Sequence, residues 1–194
     1  MLASIHPLGE RARDRSWGVT VGAYLIGSTL AAALLGAALG GIGDVLPLTP
    51  GATTAVALAA GALALAADLG AFRLPTIHRQ VDKDWLDRYR GWVVGVGFGF
   101  QLGLGVVTIV NTAAVYLTLA LALLSGSAAA GAVVGTTFGL VRALVILVVA
   151  PVRRPDQLRL ALRRMQAWRS PSQRAGIAVQ ALFLVAAGAV AIAQ

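Results

Sequence analysis

Residues 91–124 read GWVVGVGFGFQLGLGVVTIVNTAAVYLTLALALL, and the reading of this run decides the fold. It carries no charge over 34 residues. At about 1.5 Å per residue, a helix of that length exceeds a hydrocarbon core of about 30 Å. The first half repeats glycine at Gly91, Gly95, Gly97, Gly99, Gly103 and Gly105. The middle carries polar groups at Gln101, Thr108, Asn111 and Thr112. Glycine in lipid lets a neighbouring helix approach closely, or lets a helix bend. Amide side chains in lipid need partners or line a cavity. Two readings stay open: a tightly packed central helix with local hydrogen bonds, or a kinked helix lining a solute path.

The rest of the chain has the same character. Hydrophobic residues make up 58% and charged residues 12%, about half of what a soluble domain carries. The fold class is therefore an all-α integral membrane protein, one transmembrane domain over 1–194. The spans are expected at about 18–42, 54–72, 91–124, 130–152 and 175–193. The N-terminal MLASIHPLGERARDR is polar, so no cleavable signal peptide is expected, only a short tail. With no cysteine, disulfides, thiolate ligands and thiol relay are excluded for this chain.

The net charge of +8 would point to nucleic acid in a soluble protein. Here the basic residues sit in the N-terminal tail, the 73–90 loop and the 151–174 loop; only Arg142 lies elsewhere. The 43–53 and 125–130 turns carry none. That asymmetry places the N-terminus in the cytoplasm and the C-terminus outside a plasma (inner) membrane, with no nucleic-acid partner. In the 73–90 loop, Val81, Trp85 and Tyr89 recur every four residues, as in a short interfacial helix, with Asp84 and Arg88 as an i, i+4 pair. His78 reads as a solvated loop residue. In the second loop Leu158, Leu162, Met165 and Trp168 form a stripe behind Pro155 and Asp156, which mark a helix start. A basic amphipathic helix of this kind lies on an anionic leaflet, so anionic lipid is an expected partner.

Arg142 is the most conspicuous side chain. It is eleven residues from Arg153, about 16 Å of helix, which is a long reach for snorkelling. A central arginine costs about 2.5–3.5 kcal/mol on insertion scales. An acid, helix C-terminal carbonyls, water or an anionic substrate should compensate. One reading pairs it with Asp68, expected in the last turn of the second span near the cytoplasmic edge, or with carbonyls. The other has Arg142 face a polar cavity with Asn111, Thr108 and Gln101 and bind an anion or zwitterion, with Asp68 as an ion- or proton-coupling carboxylate. Gly27-Ser28-Thr29-Leu30 in span one also matches Gly135-Thr136-Thr137-Phe138 in span four, which would make the two hairpins inverted copies.

The order of GVGFGFQLGLGVVT, LTLALALLSGS and AGAVVGTTFGL resembles the second half of the cytochrome c biogenesis thiol transporters, the CcdA and DsbD transmembrane domains, within the LysE-type exporter superfamily. The resemblance implies six helices in two inverted repeats, of which this chain would lack the first. It departs where the family carries Pro-Cys, since Thr108-Ile109-Val110-Asn111 stands there. Thiol shuttling is therefore not carried over. The expected function is a small-solute transporter or exporter of an anionic or zwitterionic compound. The alternative is a non-transporting accessory or scaffold subunit, with a homo-oligomer or a membrane protein as partner. An enzyme is not expected, nor a metal or cofactor, since the spans hold no Ser–His pair, histidine cluster or paired carboxylates.

Overall fold

The computed structural model describes residues 5–72, 74–75, 88–106, 110 and 112–192. Among these the chain is all helical. Helix α1 (Pro7–Ala12) precedes α2 (Trp17–Asp44) and α3 (Pro50–Asp68). Then come α4 (Gly91–Gly103), α5 (Ala114–Leu124) and α6 (Ala128–Leu144), which runs on into a 3₁₀ turn, Val145–Val149. Helices α7 (Pro155–Ala167) and α8 (Arg169–Ile192) complete the fold. Four segments are long and apolar enough to cross a membrane: α2, α3, α6 with its 3₁₀ turn, and α8. Helices α4 and α5 are shorter.

Small residues set the packing. Helix α2 is the central post. Gly95, Gly99 and Gly103 of α4 lie so close that a methyl group on each would meet a backbone carbonyl of Thr20, Tyr24 or Ser28. Rising numbers therefore pair with rising numbers, and α4 runs parallel to α2. On α6, Gly131 meets Gly36, Gly135 meets Ala32 and Gly139 meets Ser28, so α6 runs antiparallel. Hydrocarbon supplies no apolar drive for helix association, so backbone approach and dispersion contacts hold such a core. The Ser28 hydroxyl adds a buried bond to the Gly139 carbonyl at 3.0 Å.

The run 91–124 is thus two helices and not one continuous span. Gly103 lies opposite Ser28, and Gly43 lies against Leu123. Both halves point the same way along α2, with the break beside the middle of α2. Two further half-spans would have reversed the sidedness of everything after them; one interrupted span does not. The interruption resolves the excess length noted in the sequence.

Helices α3 and α8 form an arm that reaches the post through α5. Ala64 and Ala67 of α3 pack on Ala113 and Leu117. Gly61 faces Phe183 and Leu184 of α8.

The polar N-terminal segment does not trail as a tail. His6 caps α1 by accepting the Gly9 N–H through Nδ1 at 3.1 Å. Ile5 is buried with Val21, Tyr24, Val94, Phe98 and Val149. Glu10 is fully buried and accepts the Thr20 hydroxyl at 2.5 Å. Helix α1 therefore closes the end of the bundle where α2 and α4 begin. Helix α7 starts at Pro155 as expected, with Gln157 Oε1 accepting the N–H groups of Arg153 and Arg154 at 2.7 and 3.1 Å. Leu158 and Ala161 hold it against the same core. The interfacial helix expected around Val81 and Trp85, His78 and the Asp84–Arg88 pair lie outside the described residues, apart from Arg88 and Tyr89.

Candidate functional site at a helix break

Leu104 ends α4, and Gly105 turns the chain with φ +73°, a left-handed conformation that glycine adopts without a Cβ penalty. Val110 and Ala113 are buried beside the break. A helix starting inside a membrane has N–H groups with no partners in its own turn, and lipid offers none. The chain supplies them in two ways. Thr112 Oγ1 accepts the Ala114 N–H at 3.2 Å. Asp68, at the last residue of α3, accepts the Ala113 N–H through Oδ1 at 2.7 Å.

The second Asp68 oxygen takes the Thr112 hydroxyl at 2.6 Å and Gln180 Nε2 of α8 at 2.7 Å. One carboxylate thus ties three elements: the end of α3, the start of α5 and the middle of α8. Its negative charge lies at the positive end of the α5 dipole, where such a charge is stabilised. Gln180 is 2% exposed, and its Oε1 is buried without a hydrogen-bond partner.

This placement corrects two expectations. Asp68 is level with the break, about halfway along α2, and not at the end of the bundle where α2 begins. Nor does it pair with Arg142, because its oxygens go to Thr112, Ala113 and Gln180. Arg142 stands in the last turn of α6, about one turn beyond the Gly139–Ser28 contact. There the helix C-terminal carbonyls favour a cation. Its guanidinium lies 5.6 Å from the Phe138 ring centre, and buried Tyr24 is within its electrostatic reach. Gln101 is half-buried on α4. Thr108 and Asn111, the other expected contacts, lie outside the described residues.

Gln180 was missed, although an amide inside the apolar run 175–193 was a readable signal. Thr112 was noted only as a polar residue. Together with Asp68 they form a hydrogen-bonded carboxylate cluster at the break. Among the described residues no group of three or more His, Cys, Asp or Glu side chains could hold a metal.

Residues 3–188 match the family described as the cytochrome C biogenesis protein transmembrane region. The chain belongs to this family. It is 31% identical over 196 residues to the methylamine utilization protein MauF of Paracoccus versutus, covering 97% of this chain and 68% of that protein. It is 32% identical over 181 residues to the MauF protein of Methylophilus methylotrophus, covering 91% of this chain and 61% of that one. The chain thus spans roughly two thirds of the length of these curated relatives. No solved structure matches it. The resemblance read from the glycine spacing is therefore correct. This member of the cytochrome c biogenesis family carries no cysteine, so a thiol relay within the chain is excluded.

Proposed function

We propose that the chain is a membrane-embedded accessory factor that helps another protein of an amine-utilisation system reach its working form, without thiol chemistry and without acting as an enzyme. The observation that carries this reading is the closed core. Helix α2 lies at backbone contact with both α4 and α6, which leaves little room between them and supports this reading. Cavities of about 270–300 Å³ lie at the periphery, lined by described residues other than Asp68, Gln101 and Arg142. A helix interrupted by tight backbone geometry and fastened on three sides suits a rigid docking scaffold. The family description speaks of biogenesis, and the curated relatives are named for methylamine utilization.

One observation favours the alternative of a small-solute exporter: the broken helix at mid-depth, a feature of many transporter sites. In that reading Arg142, Gln101, Thr108 and Asn111 contact an anionic or zwitterionic solute, and the inverted hairpins rock about the break. Deletion of the gene in its native host separates the two. Cells are grown on a permissive carbon source with methylamine as inducer. Amine-oxidising activity is measured in extracts, and uptake of labelled methylamine in whole cells. Loss of extract activity with normal uptake supports the accessory role; normal extract activity with altered uptake or efflux rejects it. By its basic flanks the chain sits in the plasma membrane with the N-terminus cytoplasmic.

A further inference from the structure

A cavity of about 300 Å³ opens where α1, the start of α2 and the turn after the 3₁₀ segment meet. Arg11, Arg15 and Arg153 line it, with Ser16, Trp17 and Gly18, and no acidic residue is among its described walls. The three arginines come from two places more than 130 residues apart in the chain. Only the folded molecule brings them together, so the cluster is more than a run of topogenic charge. Ser16 occupies the N-cap position of the 28-residue α2, yet its hydroxyl makes no cap hydrogen bond. The positive end of the α2 dipole lies at the same end of the helix as the guanidinium groups. Arginine forks match phosphate oxygens in a bidentate way, and they do so best where water is partly excluded.

The position along the membrane identifies the ligand. Trp17 begins α2, a segment long and apolar enough to cross a membrane, so the cavity lies at the end of a span. A second cavity of about 270 Å³ borders the same 148–153 segment where it meets α7, and its walls are mainly apolar, with Gln157 and Arg164 of α7 among them. A basic cavity and an apolar one on the same segment suit a molecule with a phosphate head and an acyl tail. Basic pockets between helices at the cytoplasmic surface are places where anionic head groups bind.

We propose that the Arg11–Arg15–Arg153 cavity binds the phosphate of an anionic phospholipid head group. Occupancy ties α1 to the end of α6 through the lipid, which makes the seating of α1 dependent on lipid composition. The phosphate cavity does not include Arg159 and Arg163, which are exposed on α7.

The experiment uses the full chain purified in a neutral detergent. Thermal melts and native mass spectra are recorded with phosphatidylglycerol, with phosphatidylcholine and with inorganic phosphate at millimolar concentration. The proposal expects a rise in melting temperature and a retained adduct with phosphatidylglycerol alone. The adduct should fall at least tenfold in Arg11→Gln/Arg153→Gln. It should persist in Arg159→Gln/Arg163→Gln, which removes the same charge from α7. Equal loss in both double variants would reduce the effect to general charge and overturn the proposal. An equal response to phosphatidylcholine, or to inorganic phosphate, would overturn the assignment to an anionic lipid. Native mass spectra of folded protein keep the outcome readable if a variant melts lower.

Discussion

At the residue scale, Asp68 is the side chain whose loss should be felt most. Truncation to alanine leaves the Ala113 N–H, the Thr112 hydroxyl and the Gln180 amide without their acceptor, at a depth where lipid offers no substitute. Each orphaned donor costs about 1–3 kcal/mol, with partial relief as the site relaxes. Asp68→Ala is therefore expected to destabilise the protein by about 2–4 kcal/mol, read as a lower melting temperature in detergent. Gln180→Met removes one donor and also one unpartnered acceptor, and should cost about 1 kcal/mol or less. If the two variants melt alike, the carboxylate is not the tie described here.

His6 makes a second prediction. Burial first, and the nearby Arg13 guanidinium second, lower its imidazole below the ordinary value of 6.5, against the opposing pull of Glu10. The neutral ring is the form that accepts the Gly9 N–H. A folded-state value below the unfolded one means that the unfolded chain binds more protons. The cap's contribution is complete above pH 6.5 and is lost as the pH falls through the folded value. Helix α1 should loosen on acidification, seen as a pH-dependent change in Trp17 fluorescence in a variant lacking the other tryptophans. His6→Asn keeps a capping oxygen and should abolish that dependence.

At the scale of elements, the glycine contacts give the sharpest contrast. Alanine at Gly36, Gly99 or Gly135 would press a methyl group onto a backbone carbonyl, which cannot move aside as a flexible side chain can. Each should cost about 1–3 kcal/mol and separate α2 from its neighbour. Gly22 and Gly176 have no atom near the same position, so alanine there should be neutral or slightly stabilising. Thermal melts of the five variants in one detergent test this, and equal losses across the set would refute the zipper.

The same contacts show what could be read in advance. Glycine every fourth residue along 91–103 pointed to close packing before any partner was known, and Pro155–Asp156 located the start of α7. The break within 91–124 was visible as excess length with polar residues in its middle, but its position was not. It is fixed by Asp68, some 45 residues earlier, and by Gln180, about 70 residues later. No periodicity within one helix encodes a bond of that range. Arg142 stood out for the opposite reason. A lone charge is conspicuous in sequence, while the Phe138 ring beside it becomes apparent only in three dimensions.

At the scale of the whole molecule, charge divides the two ends. The arginines of the N-terminal segment, of 153–154 and of α7 gather at the end where α2 begins. The turns at 45–49 and 125–127 at the other end hold no basic residue. Basic loops are retained on the cytoplasmic side during insertion, so the end closed by α1 should face the cytoplasm. The absence of cysteine makes this unusually direct to test, because any introduced thiol is the only one present in the chain. Leu48 in the α2–α3 turn and Arg159 on α7 are both exposed and serve as reporters for the opposite ends. Leu48→Cys should react with a membrane-impermeant maleimide once the plasma membrane's outer face is accessible. Arg159→Cys should react only after that membrane is permeabilised. Because α4 and α5 run in the same direction, the interrupted helix counts as one crossing, and the two reporters must lie on opposite sides. Labelling of both from the same side would mean that the halves around the break belong to separate crossings, and the parallel arrangement along α2 would have to be abandoned.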